Sequence, residues 1–512
     1  MVDQQRSRRS LTAQAFWLLV AKTLGFAFAF ALPVLLTRTL SQNEYGLFKQ
    51  LFLITTTACA LLPLGFGMSA FYYLPRENDP KRRGQVIFNI LLFNLLMGFA
   101  ACLVLIFWPG VIANIFRDPG ISSYVPLLGV VILLWLFSSF VETVAVASQE
   151  LKLATIFIVT GQLTRTVLLL AAALVFDSVQ ALVYAAMIHG AVQSVALIWY
   201  VVTRFRGFWR AFDWSLTFKQ VAYALPFGLA GLLYTVQTDL HNYFVSHQFS
   251  AATFAIYSIG VAQLPFVSIL RESVSSVMLP RVSYLQEQGQ TREIIMLIAS
   301  ATRKLAVVLL PVYVFLMVTG REFLTFMFTS AYAESWPIFA LNLTLLPLSL
   351  LDVDAVSRAY ERHRFFLVRL QIVICILNVV SLWFFIGRFG LLGAIGVVVG
   401  LNIIGRVAMA IRFSLVLGAK LRDLKLFKDV GKAAIASVVA GVLCFFVRSL
   451  IMSSYQRPIV ILAGCFIVFA AVYAGAILML GVATGDEREK VRRGVQRLHR
   501  FVYGRQQQPA TD

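Results

Sequence analysis

The sequence predicts an all-α polytopic membrane protein with about fourteen transmembrane helices: two pseudo-symmetric six-helix lobes and two further C-terminal helices. Three observations carry this expectation. First, the 512 residues are 59% hydrophobic with a mean hydropathy of +0.81 and only 13% charged, whereas a soluble chain of this length carries about 25% charged residues. Second, apolar stretches of about twenty residues, the length that crosses roughly 30 Å of hydrocarbon as a helix, recur along the whole chain. Third, the large majority of the 44 Lys and Arg residues fall on alternate loops, as expected when cytoplasmic loops collect positive charge.

In order, the apolar stretches cover residues 13–37, 47–73, 85–108, 122–147, 154–176, 179–202, 219–244, 252–279, 296–318, 336–357, 365–387, 390–416, 430–452 and 458–482. The first follows Arg6, Arg8 and Arg9 and superficially resembles a secretory leader. It is longer than a leader's apolar core and runs on into further spans, so it is taken as a retained first helix. Basic clusters sit between the second and third spans (Lys81, Arg82, Arg83), at Arg204–Lys219, at Arg281–Lys304, at Arg358–Arg369 and at Arg412–Lys432. The opposite loops hold single charges such as Arg117, Arg321 and Arg388. An even span count with both termini cytoplasmic follows from this asymmetry. It also assigns the net charge of +20 to membrane orientation rather than to nucleic acid. The connecting loops are too short to hold a soluble domain.

One internal repeat is visible. Residues 39–48, Thr-Leu-Ser-Gln-Asn-Glu-Tyr-Gly-Leu-Phe, return 209 positions later as Gln-Phe-Ser-Ala-Ala-Thr-Phe-Ala-Ile-Tyr at 248–257. Both copies join a first span to a second, and six spans separate them, so the halves share orientation and are related by an axis along the membrane normal. The expected domains are an N-lobe over 1–202, a cytoplasmic linker over 203–217, a C-lobe over 218–418, a helix pair within 428–482 and a basic cytoplasmic tail over 483–512.

Four cations, Lys22, Arg165, Arg271 and Arg406, lie well inside apolar stretches. Each costs roughly 2.5–3.5 kcal/mol at mid-membrane on insertion-derived scales, so they are expected to face protein or water. Helical spacing agrees: Gln162 with Arg165, Asn402 with Arg406, and Ser268, Arg271, Glu272 and Ser275 form polar stripes. Buried cations of this kind suit an anionic ligand, Arg by bidentate contacts and Lys as a point charge. The competing role is structural pairing with Glu142, Glu272, Asp352 or Asp354, and it weighs most for Arg271 beside Glu272.

Asp239 shares a helix face with Thr235, Asn242 and Tyr243 and is a candidate for holding a coupling Na⁺ or proton. His189, His241 and His247 are read as hydrogen-bonded packing residues. Asp352-Val353-Asp354 has the D-x-D form of a metal motif, but Arg358 and Arg362 follow one and two turns later and favour ion pairing. Gly396-x-x-x-Gly400 permits close helix approach. The five isolated cysteines suggest neither a disulfide nor a metal site, and no phosphate-binding loop of the G-x-x-x-x-G-K type is present.

The segment 36–48, followed by Leu64-Gly65-Phe66-Gly67 and Tyr72-Tyr73-Leu74-Pro75-Arg76, resembles the opening of bacterial polysaccharide exporters of the Wzx type, the polysaccharide transporter family of the MOP exporter superfamily. Asp239, the 250–257 turn and Gly260-x-x-Gln263 are also similar to that family. The resemblance implies a flippase, not an enzyme, that carries an undecaprenyl-diphosphate-linked oligosaccharide from the inner to the outer face of the bacterial cytoplasmic membrane by alternating access. Its partners would be that lipid-linked substrate, membrane lipid and a polysaccharide polymerase, in the service of lipopolysaccharide or exopolysaccharide. No cofactor is implied beyond a coupling Na⁺ or H⁺. Relatives that export lipid II, or drugs as MATE transporters do, are alternatives within the superfamily. A membrane-embedded glycosyltransferase or polymerase is the alternative from another class, and it would ordinarily need a larger extramembrane loop. The resemblance to lipid flippases further implies that the last two spans form an apolar groove for the polyprenyl tail, with dimerisation as the rival role.

Overall fold

The computed structural model describes residue 20 and residues 23–210, 212–351, 353–360, 364–455 and 457–482. All regular structure among these is helical. The chain runs through α1 (Thr23–Thr39), α2 (Gln42–Leu61), α3 (Met68–Tyr73), α4 (Pro80–Phe107), α5 (Val125–Ala147), α6 (Leu151–Phe176), α7 (Val179–Arg204) and α8 (Trp214–Gln248). It continues through α9 (Ala251–Gly260), α10 (Pro265–Glu287), α11 (Thr291–Phe328), α12 (Ser330–Leu351), α13 (Phe365–Val416), α14 (Lys428–Ser454) and α15 (Pro458–Met479). Among the described residues, ten helical stretches are long and apolar enough to cross a bilayer, and α9 with α10, bent by 43° at their junction, make an eleventh. The shorter α1, the α2–α3 pair and the two arms of α13 either side of Gly390 account for the remaining expected spans. Gly390 adopts φ +57°, a left-handed conformation that a side chain resists, and this breaks the long helix where sequence reasoning ended one span and began the next.

Contacts divide the chain into two compact units. The first comprises Met1–Ile269, Leu324–Asn342 and Arg362–Gly405. Its core gathers Phe66, Ala70 and Leu74 with Val86, Ile87 and Ile90 of α4, Phe140 and Val144 of α5, and Leu197 and Tyr200 of α7. A buried polar network crosses this core. The Asn89 amide donates to Gln220 Oε1 at 2.9 Å, and the Gln220 amide donates to Ser69 Oγ at 3.2 Å and to the Val86 carbonyl at 3.3 Å. In hydrocarbon such bonds tie helices that the hydrophobic effect alone cannot hold in register.

The repeated segments become two matching helix starts in this unit. Ser41 caps α2 at φ −63°, ψ 160°, and Ser250 caps α9 at φ −62°, ψ 161°. Each hydroxyl accepts the backbone N–H three residues on. The paired aromatics Tyr45 and Phe254, and Phe48 and Tyr257, are all buried. The two helices then pack on each other so closely that a Cβ at Gly46 would strike the Ala251 backbone. The symmetry extends one residue group further out: Arg38 Nη2 donates to the Phe326 carbonyl at 2.7 Å, and His247, 209 positions later, places Nδ1 2.7 Å from the Ile115 carbonyl. The Leu64-Gly65-Phe66-Gly67 motif forms a left-handed turn with Leu64 at φ 47° and Gly65 at φ 71°. Gly228 of α8 lies directly against the Leu64 backbone there, which leaves no room for a side chain.

The second unit comprises Leu270–Phe323, Leu343–Glu361 and Arg406–Asp512. In it α14 and α15 form a hairpin that docks on α11. Ala440, Cys444, Ile461, Cys465 and Phe469 pack against Val314, Phe315 and Val318. The Tyr473 hydroxyl donates to the Val307 carbonyl at 2.8 Å, and Arg303 Nη1 donates to the Val482 carbonyl at 2.9 Å. Arg448 and Glu322 form a salt bridge at 2.6 Å with only 19% and 8% of their side chains exposed. Sequence spacing did not foresee that pair. By contrast, nothing packs within 4 Å of a Cβ built at Gly396 or at Gly400. These two glycines belong to the first unit, and the close approach that Gly396-x-x-x-Gly400 permits is not used among the described residues.

Candidate functional site

The polar stripe foreseen around Arg165 opens onto a cavity of about 220 Å³ in the first unit. Ala29, Leu32, Pro33 and Leu36 of α1 form one wall, and Phe48, Lys49, Phe52, Leu53 and Thr56 of α2 form a second. Gln162, Arg165 and Thr166 of α6, with Asn242 of α8 and Phe254 of α9, complete the lining. Among the described residues that line it, two are cationic and none is acidic.

Local chemistry explains how Arg165 is tolerated there. Its guanidinium carbon lies 4.7 Å from the centre of the Trp135 ring and 6.0 Å from that of Phe52. Both distances are within the reach of cation–π attraction, worth up to about 2 kcal/mol where water is excluded. Trp135 is itself fixed, since its indole N–H donates to the Ala186 carbonyl at 2.9 Å and its ring meets Phe52 and His189 edge-on, both at 5.7 Å. The aromatic platform holds the guanidinium plane while leaving its N–H fork available for an anion. Lys49 adds a second positive charge from α2, and both cations are half-buried.

Lys49 was missed by sequence reasoning because it lies only two residues inside its apolar stretch, where a lysine ordinarily reaches back to the interface. The signal was present nonetheless: Lys49, Phe52, Leu53 and Thr56 stand at i, i+3, i+4 and i+7, one continuous helix face.

The other candidates are distributed as follows. Lys22 lies outside the described residues. Arg271 on α10 and Arg406 on α13 belong to the second unit and are not among the residues lining this cavity. Asp239 is partly buried on α8, one turn from the cavity residue Asn242, and accepts a long hydrogen bond of 3.5 Å from Thr57 Oγ1. His241 is a packing residue as expected, its Nδ1 2.9 Å from the Tyr257 hydroxyl. Asp354 pairs with Arg358 at 2.9 Å, the ionic role foreseen for that motif, whereas Asp352 lies outside the described residues.

A bundle of helices long and apolar enough to span a membrane, with a repeated helix start and a cation-lined internal cavity, defines a polytopic membrane protein. The fold resembles those of solved transporters of the MOP superfamily. It resembles the lipid II flippase MurJ in an inward closed conformation, with a TM-score of 0.69 at 12% identity over 90% of this chain and 99% of that one. It also resembles an inward-facing multidrug resistance MATE transporter, with a TM-score of 0.58 at 13% identity over 77% and 95% of the two chains. A third likeness is to a MOP transporter from Pyrococcus furiosus, described as having a binding pocket of reverse polarity that suggests a different function, with a TM-score of 0.53 at 15% identity over 79% and 94%. Residues 35–337, more than half of the sequence, match the family described as polysaccharide biosynthesis protein, and the chain belongs to that family. No curated protein sequence matches it.

Proposed function

We propose that this protein is a flippase that carries a polyprenyl-diphosphate-linked oligosaccharide outward across a bacterial cytoplasmic membrane, with both termini on the cytoplasmic side. The observation that carries the reading is the meeting of Lys49 and Arg165 in one cavity whose described lining holds no carboxylate. A site for organic cations would need the opposite sign. A diphosphate matches it: the planar guanidinium fork grips one phosphoryl group in bidentate fashion and the ammonium serves as a compact point charge for the other. Membership in a polysaccharide biosynthesis family supplies the sugar, and likeness of fold to a lipid II flippase supports a lipid carrier.

Export of net negative charge from a cell interior that is itself negative is favoured by about 2.3 kcal/mol per charge per 100 mV, so the membrane potential can contribute to driving transport. Asp239 is the proposed coupling-ion site, where Na⁺ or a proton would join the carboxylate and Thr57. Lys22, Arg271 and Arg406 remain proposed members of the anion path.

The test replaces Lys49 or Arg165 by Gln in a strain lacking the native copy. Each loss of a charge-assisted contact is worth roughly 1.5–3 kcal/mol, which lowers surface polysaccharide per inserted protein by roughly 10- to 150-fold. Complete lipid-linked repeat units should accumulate on the inner leaflet. Accumulation of incomplete units would indicate a biosynthetic enzyme instead. Wild-type yield from both variants would end the anion-cavity reading.

A further inference from the structure

Between α13 and α14 the chain makes a 3₁₀ helix, Leu421–Phe427, that leads directly into α14. A 3₁₀ helix has three residues per turn, so side chains three apart stand in line. In this helix that rule sorts the sequence into rows. Leu421, Leu424 and Phe427 form one row, and Arg422 and Lys425 form the next, followed by Lys428 at the start of α14. The two leucines of the apolar row are uncovered, Leu421 being 87% exposed and Leu424 64%, while Phe427 is partly buried where the row meets α14. The basic row is exposed as well, and among the described residues no carboxylate forms a salt bridge with Arg422, Lys425 or Lys428. The acidic residues nearest in sequence are engaged elsewhere. Asp423 accepts the Lys420 backbone N–H at 2.8 Å, and Asp429 pairs with Lys432 at 3.5 Å.

The position of the segment follows from the helix it precedes. The 27 residues of α14 rise about 40 Å at 1.5 Å each, more than the roughly 30 Å of a hydrocarbon core. The 3₁₀ helix therefore begins where headgroups lie. A surface with adjoining leucine and basic rows at that level is complementary to an anionic lipid leaflet: leucines enter the acyl boundary and the cations meet phosphates.

We propose that Leu421–Lys428 is a binding surface for anionic phospholipid that ties the α14–α15 hairpin to a negatively charged leaflet. The occupant is the lipid surface itself, selected by charge, and the reading is independent of what the protein transports. A second copy of this chain is the rival occupant, because exposed leucines also suit a protein contact.

The experiment places a photoreactive benzoylphenylalanine at Leu424 in the full-length protein, reconstituted in nanodiscs of phosphatidylglycerol and phosphatidylcholine in equal parts. Adducts are identified by mass spectrometry. Phosphatidylglycerol adducts should exceed phosphatidylcholine adducts at least about five-fold, the equivalent of about 1 kcal/mol for one basic residue at an anionic surface. The combined R422Q/K425Q/K428Q change should return the ratio to one while leaving total lipid adducts intact. The same probe at Val439, an exposed position within α14, should take both lipids equally in either background. Equal labelling at Leu424 in the unaltered protein, crosslinks to a second chain, or adducts to neither lipid would each overturn the proposal.

Discussion

The Arg448–Glu322 pair offers a direct measure of how α14 is held on α11. At an effective dielectric near 20, the gross attraction across 2.6 Å is about 6 kcal/mol, but withdrawing each ion from water costs several kcal/mol. The net worth of the pair is therefore small, and its main consequence appears when one partner is removed. Arg448→Met removes the 2.6 Å ion-pair partner of a carboxylate that is 8% exposed and should cost about 3–5 kcal/mol. Glu322→Leu strands the guanidinium and should cost a similar amount, somewhat relieved by Arg448 being the more exposed of the two. The double change restores an apolar contact beside Val318 and Cys444 and should recover most of the loss. Thermal unfolding in detergent, followed by fluorescence-detected gel filtration, gives the double-mutant cycle. A single variant that melts like the unaltered protein, or a double variant no better than the singles, would refute the account of a buried pair costly to break and cheap to replace.

Three further outcomes follow from the packing and the topology. Gly46→Leu should abolish stable insertion because its side chain meets the Ala251 backbone, whereas Gly400→Leu should be tolerated; yields of folded protein compare the two. Gln220→Leu removes three buried hydrogen bonds and should cost about 1–3 kcal/mol in the same melting assay, with no loss indicating that α3, α4 and α8 are held by packing alone. Impermeant thiol labelling of single cysteines at Ser123 and Ser215 should mark only the first from outside the cell, and labelling at Ser215 would reverse the proposed orientation.

The spans were legible because hydrocarbon thickness sets their length and backbone satisfaction forces them to be helical. The repeat was legible because an N-cap serine and the buried aromatics that follow it are local requirements, met by Ser41 and Ser250 alike. Half of the cation cavity was also visible, since Gln162 and Arg165 share a face of α6. The rest required three dimensions. Trp135 lies 30 residues from Arg165 in sequence, and nothing in a linear pattern shows an indole ring beneath a guanidinium. Lys49 was hidden by its position near a span end. Arg448 and Glu322, 126 residues apart, meet only through tertiary packing.

The backbone contact between Gly46 and Ala251 fixes where α2 can turn. Two helices that touch main chain to main chain resist sliding, so a change in their mutual angle swings α2 like a lever about that point. The distance moved grows with distance from the fulcrum. Lys49 is three residues away, about 4.5 Å along the axis, and a tilt of about 10° shifts it by less than about 1 Å. Leu61, at the end of α2, lies about 22 Å from the pivot and would sweep about 4 Å. The ammonium group is mounted near the hinge pin, whereas the lever's tip carries the Leu64–Gly67 turn, itself in main-chain contact with Gly228 of α8, so a swing of α2 would have to carry α8 with it while the charge stays almost stationary.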